Sequence, residues 1–201
     1  MITNQYMLQI NKSYSEEVLI ADCLKGKQKA QKEMYERFAP KMLGVCMRYI
    51  NDREEAEHVM IGGMVKVFEK LNQYTFQGSF EGWVRRVMVN ESLMYIRRNK
   101  NMSLEIDVAD VEHQLDFARL DDSLEAEDLM RLIELLPVGY RTVFNLYAIE
   151  GYSHKEIAEA LAVSENTSKS QLSRARKLLQ SQLASLQAIE LDKNRNHGFK
   201  K

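Results

Sequence analysis

A polar and basic run in the last quarter of this 201-residue chain carries its most informative chemistry. From Glu165 onward, Asn166, Thr167, Ser168, Lys169 and Gln171 offer short donors and acceptors suited to base edges, and Arg174, Arg176 and Lys177 can reach phosphates. Leu172, Ala175 and Leu179 recur between them at helical spacing and face inward. Just upstream, Ser153 and Glu156 form a capping box, and Ile157, Ala158 and Leu161 supply an apolar stripe. That pattern stops near Ala162 and Val163, and Ser164 can cap the next helix. Two helices, a turn of three or four residues and a polar, basic second helix make the sequence form of a helix-turn-helix. A helical hairpin with a solvated basic face is the alternative, and the agreement of caps, turn length and side-chain distribution favours the helix-turn-helix.

The helices that must position this segment follow from composition. Only 2 prolines and 9 glycines occur, and leucine is abundant, so an all-α protein is expected. Ser15 caps a short helix through Val18, Leu19 and Cys23 to about Gly26, and Ala30, Met34 and Phe38 mark a second. Pro40 suits the first turn of a third, whose apolar face is Leu43, Cys46, Met47 and Ile50. Asp52 and Glu55 open a fourth running to about Leu71, and after TFQGS a long helix carries Phe80, Trp83, Val84 and Val87 into the basic cluster Arg97, Arg98, Lys100. Helices at 124–136 and 138–149 then lead into the helix-turn-helix. The reading is two small helical domains joined by a flexible acidic linker, with boundaries at 1–100, 101–123 and 124–187 and a basic tail at 188–201.

Charge is segregated along the chain. The formal net charge of -1 conceals ten acids and one base in residues 101–130, flanked by two mildly basic halves. This opposition suggests that the two domains pack against each other in the free protein. No apolar run reaches the roughly 18 residues of a membrane span, and the N-terminus lacks a signal-peptide pattern, so no membrane insertion and a cytoplasmic location are expected. Cys23 and Cys46 read as buried small hydrophobes, and the four histidines have no ligand spacing. With no phosphate-cradling glycine loop and no nucleophile beside a base, neither an enzyme nor a metal, cofactor or small-molecule substrate is expected.

The run GYSHKEIAEALAVSENTSKSQLSRARKLL, with LIELLPVGYRTVFNLYAIEGYS before it, resembles the promoter-binding helix-turn-helix of the extracytoplasmic-function sigma factors, the smallest members of the bacterial housekeeping-sigma family. DREEAEHVMIGGMVKVFEKL followed by FEGWVRRVMVNESLMYIRR is similar to the family's other domain, which binds polymerase and opens the promoter. The resemblance covers roughly residues 15–187. It implies a sigma factor that directs core RNA polymerase to promoters and initiates transcription, with core polymerase, promoter DNA and an anti-sigma factor as partners. A polymerase-independent helix-turn-helix regulator is the alternative.

The resemblance also distributes roles. The helix from Glu165 to Arg176 would enter the major groove of the minus-thirty-five element. The loop Phe76, Gln77, Gly78, Ser79, together with Asn90, would capture a minus-ten base, with Trp83, Arg85, Arg86, Arg97 and Arg98 beside it. Tyr74, Phe76, Phe80, Trp83 and Tyr95 fall within 22 residues, a dense set against 8% aromatics overall, and unpaired bases stack on such rings. Helical spacing favours core packing for Phe80 and Trp83, whereas Phe76 lies on the loop. Polymerase docking would fall to Glu57, His58, Ile61, Gly62, Met64 and Val65, where the chain departs from its relatives' pattern: His58 replaces an acid, Ile61 a Gln, Gly62 an acid and Met64 a Phe. Two adjacent glycines inside a helix would also cost about 1 kcal/mol each relative to alanine.

Overall fold

The computed structural model describes residues 15–99 and 126–197. The acidic linker expected at 101–123 therefore lies outside the described residues. Those described are helical, with no strand among them. In the N-terminal unit, α1 (Glu16–Leu24) rests on α2 (Gln28–Met47), and α2 packs with α3 (Arg53–Glu69) and α4 (Phe80–Arg98). In the C-terminal unit, α5 (Ala126–Glu134), α6 (Val138–Phe144) and α7 (His154–Leu161) surround the long α8 (Glu165–His197). A single π-helical turn, Asn145–Ile149, continues α6.

Caps define most helix starts. Ser15 accepts from the Val18 N–H at 3.4 Å, Asp52 from Glu55 at 2.9 Å and Ser79 from Gly82 at 3.1 Å. The box at α7 is complete, since the Ser153 hydroxyl accepts from the Glu156 N–H while the Ser153 N–H donates to the Glu156 carboxylate at 2.8 Å. One expectation fails at Pro40: no helix starts there, because α2 runs through it without a break. Proline removes one helical hydrogen bond and crowds the preceding turn. Here Met34, Phe38, Ala39, Met42, Val45 and Cys46 keep one face of α2 buried on both sides of Pro40, and this packing outweighs the local penalty. At the other end, α8 continues to His197, past residue 187, where the sequence suggests that the helical domain ends.

The adjacent glycines of α3 occupy different environments. Gly62 is exposed, and a Cβ there would meet nothing within 4 Å. Gly63 is buried, and a Cβ there would drive into the Met88 sulfur of α4. The close approach of α3 to α4 therefore accounts for Gly63, and nothing in the structure accounts for Gly62.

The apolar interior is not divided in the same way as the sequence. Leu19, Met34, Phe38, Met42, Met64, Phe80 and Met88 belong to one cluster that also includes Val143, Leu146, Ile157, Leu161 and Leu172 of the second unit. A separate cluster joins Leu132, Ile133, Leu136 and Tyr140 to Ala175 and Leu179. Across the seam, the buried Arg141 donates to the carbonyl of Tyr49 at 3.2 Å as well as to Glu134 and Leu136 of its own unit, and Asn145 donates to the Arg48 carbonyl at 2.7 Å. These bonds satisfy carbonyls left open at the C-terminal ends of α2 and α5. Burial pushes the Arg141 pKa down to about 10, opposed by Glu134.

Candidate nucleic-acid interface

The turn between α7 and α8 is short because Ala162 takes a left-handed conformation, φ 56° and ψ 42°, that ends α7. Ser164 then opens α8, its hydroxyl accepting from the Thr167 N–H at 2.9 Å. Leu172, Ala175 and Leu179 turn into the core and fix which face of α8 looks outward. On that outer face lie Glu165, Asn166, Lys169, Arg174, Arg176 and Lys177, with Thr167 half-buried.

Two of the expected base readers are turned away from solvent. Ser168 is fully buried, its Oγ 2.9 Å from the His154 Nδ1, and Gln171 is also buried. Both lie four residues before an inward-facing position, Leu172 and Ala175, so helical geometry carries them to the same side. Ser170 and Ser173, which the sequence reading passes over, are exposed between Lys169 and Arg174. The His154 ring stacks on Tyr147 at 4.8 Å, and the Arg176 guanidinium sits over the other partner in this set, 5.5 Å from the Tyr147 centroid. Arg176 is thus engaged with an aromatic face as well as open to solvent.

The second site is built around a strained loop. Tyr74, Phe80 and Trp83 form a ring cluster, with Phe80 stacked on Trp83 at 5.8 Å and set edge-on to Phe38 at 5.3 Å. Phe80 is buried and Trp83 half-buried. The Tyr74 hydroxyl donates to the Gly78 carbonyl at 2.8 Å and closes the loop. Within it, Phe76 adopts φ 58°, unusual for a residue with a side chain, and Gly78 adopts φ 83°. Phe76 is 59% exposed, with one edge against Tyr74 at 4.9 Å, so a large apolar ring is held out to solvent. Gln77 is exposed beside it, and the Ser79 hydroxyl is taken by the α4 cap. Along α4, Arg86, Asn90, Arg97 and Arg98 are exposed, while Arg85 is half-buried and engaged with Glu150.

On α3, Glu57, His58, Ile61, Gly62 and Val65 share an exposed face, with Ile61 at 42% and Val65 at 50% exposure. Met64 does not belong to it: the side chain is buried against the N-terminal core. Its helical phase, four residues after the buried Met60, explains this.

Among the described residues, no group of three or more histidine, cysteine or acidic side chains is arranged to hold a metal, and no helix is long and apolar enough to cross a membrane.

Residues 34–102 match the family Sigma-70 region 2, and residues 126–179 match Sigma-70, region 4. Among curated relatives, the ECF RNA polymerase sigma factor SigE of Mycolicibacterium smegmatis is 28% identical over 157 residues, covering 76% of this chain and 61% of that protein. The ECF RNA polymerase sigma factor SigW of Bacillus subtilis is 27% identical, covering 81% of this chain and 93% of that protein. A solved structure of the sigma factor RpoE with the anti-sigma factor NepR from Bartonella quintana aligns at 20% identity and a TM-score of 0.47, over 76% of this chain and 96% of that one. The two region matches occur in the family's order and together span more than half of the 201 residues, so the chain belongs to the sigma-70 family as an extracytoplasmic-function sigma factor, a transcription initiation factor that directs core RNA polymerase to promoters.

Proposed function

We propose that the two units divide promoter recognition between them, the N-terminal unit (residues 1–100) opening the minus-ten element and the C-terminal unit (124–187) reading the minus-thirty-five element. The observation that carries this is the outer face of α8, polar and basic on one side and anchored in the core on the other, at the second position of a helix-turn-helix. Asn166, Lys169, Ser170 and Ser173 are the side chains with access to base edges, and Arg174 and Lys177 hold phosphates. Ser168 positions α8 through His154 instead of touching DNA.

In the N-terminal unit, Phe76 stacks on an unpaired base of the minus-ten element, and Arg86, Asn90, Arg97 and Arg98 track the strand. The exposed face of Glu57, His58, Ile61, Gly62 and Val65 docks on polymerase, with apolar contact replacing part of the charged contact used by relatives. No bond chemistry is assigned to the chain; it acts in the cytoplasm beside polymerase and DNA, under an anti-sigma protein.

Co-elution of the purified chain with core polymerase on a sizing column, followed by transcription from a candidate promoter, tests the reading. Specific transcripts from the co-eluting fractions are expected. Failure to co-elute, even with Ile61→Gln and Gly62→Glu combined, together with a symmetric footprint from a dimer, would move the assignment to a polymerase-independent regulator.

A further inference from the structure

Arg85 is one of the residues that the family resemblance places at the minus-ten element, yet its guanidinium is already occupied. Its Nε and Nη2 donate to Oε2 and Oε1 of Glu150 at 2.8 and 2.9 Å, the forked geometry a guanidinium also uses on phosphate. Glu150 follows the π turn of the C-terminal unit, and its side chain is only 8% exposed. Arg48 Nη2 approaches the same carboxylate at 3.6 Å. One acid thus joins two cations of the other unit, which repel each other: burial and Arg85 both push the Arg48 pKa down, while the bond to Glu150 pushes that of Arg85 up.

We propose that Glu150 is an internal substitute for a DNA phosphate, clasping Arg85 and holding the free chain in a closed state that cannot reach both promoter elements at once. The inference rests on the sigma-factor reading of Arg85. In the closed state α4 touches α7 and α7 touches α8, so the axes of the two reading helices pass within about two interhelical steps of each other, roughly 20 Å. Promoter elements named for positions about 25 base pairs apart lie roughly 80 Å apart along B-form DNA. The seam must part before both can be read.

The seam has features of a contact that opens. The Tyr49 hydroxyl and Asn145 Oδ1 are buried in it without a hydrogen-bond partner among the described residues. A cleft of about 240 Å³, lined by Arg85, Arg86, Glu150 and Tyr152 among others, remains between the units. Without the Glu150 carboxylate, Arg48 and Arg85 face each other in the closed seam without the anion that joins them, so its loss biases the equilibrium toward opening.

Spin labels on the exposed positions Lys29→Cys and Glu159→Cys of the full-length chain test the clasp directly. The otherwise wild-type protein should give one narrow distance distribution, and Glu150→Gln or Arg85→Gln should give a longer, broad one, with helical circular dichroism unchanged as proof of folding. A broad distribution without either change, or a narrow one that neither change disturbs, overturns the proposal. A labelled single-stranded oligonucleotide then separates the clasp from the DNA role. Glu150→Gln should bind about tenfold more tightly, as removal of a closed state holding nine-tenths of the population requires. Longer distances with unchanged oligonucleotide affinity would keep the clasp and remove Arg85 from the DNA-binding face.

Discussion

Helices α2, α3 and α4 enclose their core mutually, with Met34, Met64, Phe80 and Met88 buried among them, whereas the helix-turn-helix unit divides its apolar residues between two clusters. One of those, Leu132, Leu136, Tyr140, Ala175 and Leu179, is its own; the other, Val143, Leu146, Ile157, Leu161 and Leu172, is continuous with the N-terminal core. The difference shows where cooperativity comes from. A small helical unit with few apolar layers gains stability by leaning on a larger one, and that support is then available as a means of control.

Removing the centre of the larger core is the most severe way to break this comparison. Phe80→Ala should cost about 4 kcal/mol, because a fully buried ring contacting Phe38, Tyr74 and Trp83 leaves a cavity the helices cannot close. Urea denaturation followed by circular dichroism would measure this, and a loss under 1 kcal/mol would contradict the packing described. Next, Arg141→Met should cost about 3 kcal/mol by leaving the carbonyls of Tyr49, Glu134 and Leu136 unpaired. It should also split the transition. Trp83, the one tryptophan, reports on the N-terminal unit, so its fluorescence midpoint should separate from the circular dichroism midpoint, whereas the two should coincide in the unaltered chain.

Much of this organisation is legible in the sequence where the signal is local. The caps at Ser15, Asp52 and Ser153, and the stripes around Met34, Leu161 and Leu172, follow from short-range rules that the fold leaves intact. Pro40 is misread because a buried stripe on both sides can carry a helix through a proline, and that stripe becomes decisive only when α3 and α4 pack on it. The inward phase of Ser168 and Gln171 is recoverable from Leu172 and Ala175, but their polar character suggests readers of DNA. Nothing local marks Arg141, Asn145 or Glu150, whose partners lie 92, 97 and 65 residues away. Pairings across that separation leave no periodic trace.

Smaller changes sharpen the contrast between the two reading faces. Phe76→Ala should leave stability within about 0.5 kcal/mol, since the ring is mostly exposed, yet weaken binding of a single-stranded oligonucleotide by about 1–2 kcal/mol. Equal affinity in a fluorescence anisotropy titration would remove the stacking role. On the other face, Lys177→Ala should lower affinity for duplex DNA about equally across sequences and reduce the slope of log K against log salt by about 1. An unchanged slope would place Lys177 off the phosphates. The smallest effects distinguish the neighbouring glycines. Gly62→Ala should stabilise the chain by about 0.5–1 kcal/mol, whereas Gly63→Ala should gain less, because the Met88 thioether must shift to admit the Cβ, both read from urea midpoints.

The π turn at Asn145–Ile149 sets how the helix-turn-helix is rotated relative to everything before it. Such a turn holds one more residue than α-helical geometry needs, and each residue of an α-helix advances about 100° around the axis. Deleting a single residue within the turn would therefore restore ordinary α-helix and keep Glu150 aimed at Arg85, whereas inserting one more, with no bulge left to absorb it, would turn Glu150 about 100° away while leaving the sequence of α7 and α8 untouched. The spacing of one short segment works as an indexing position, through which a length change of one codon could re-aim an entire reading head.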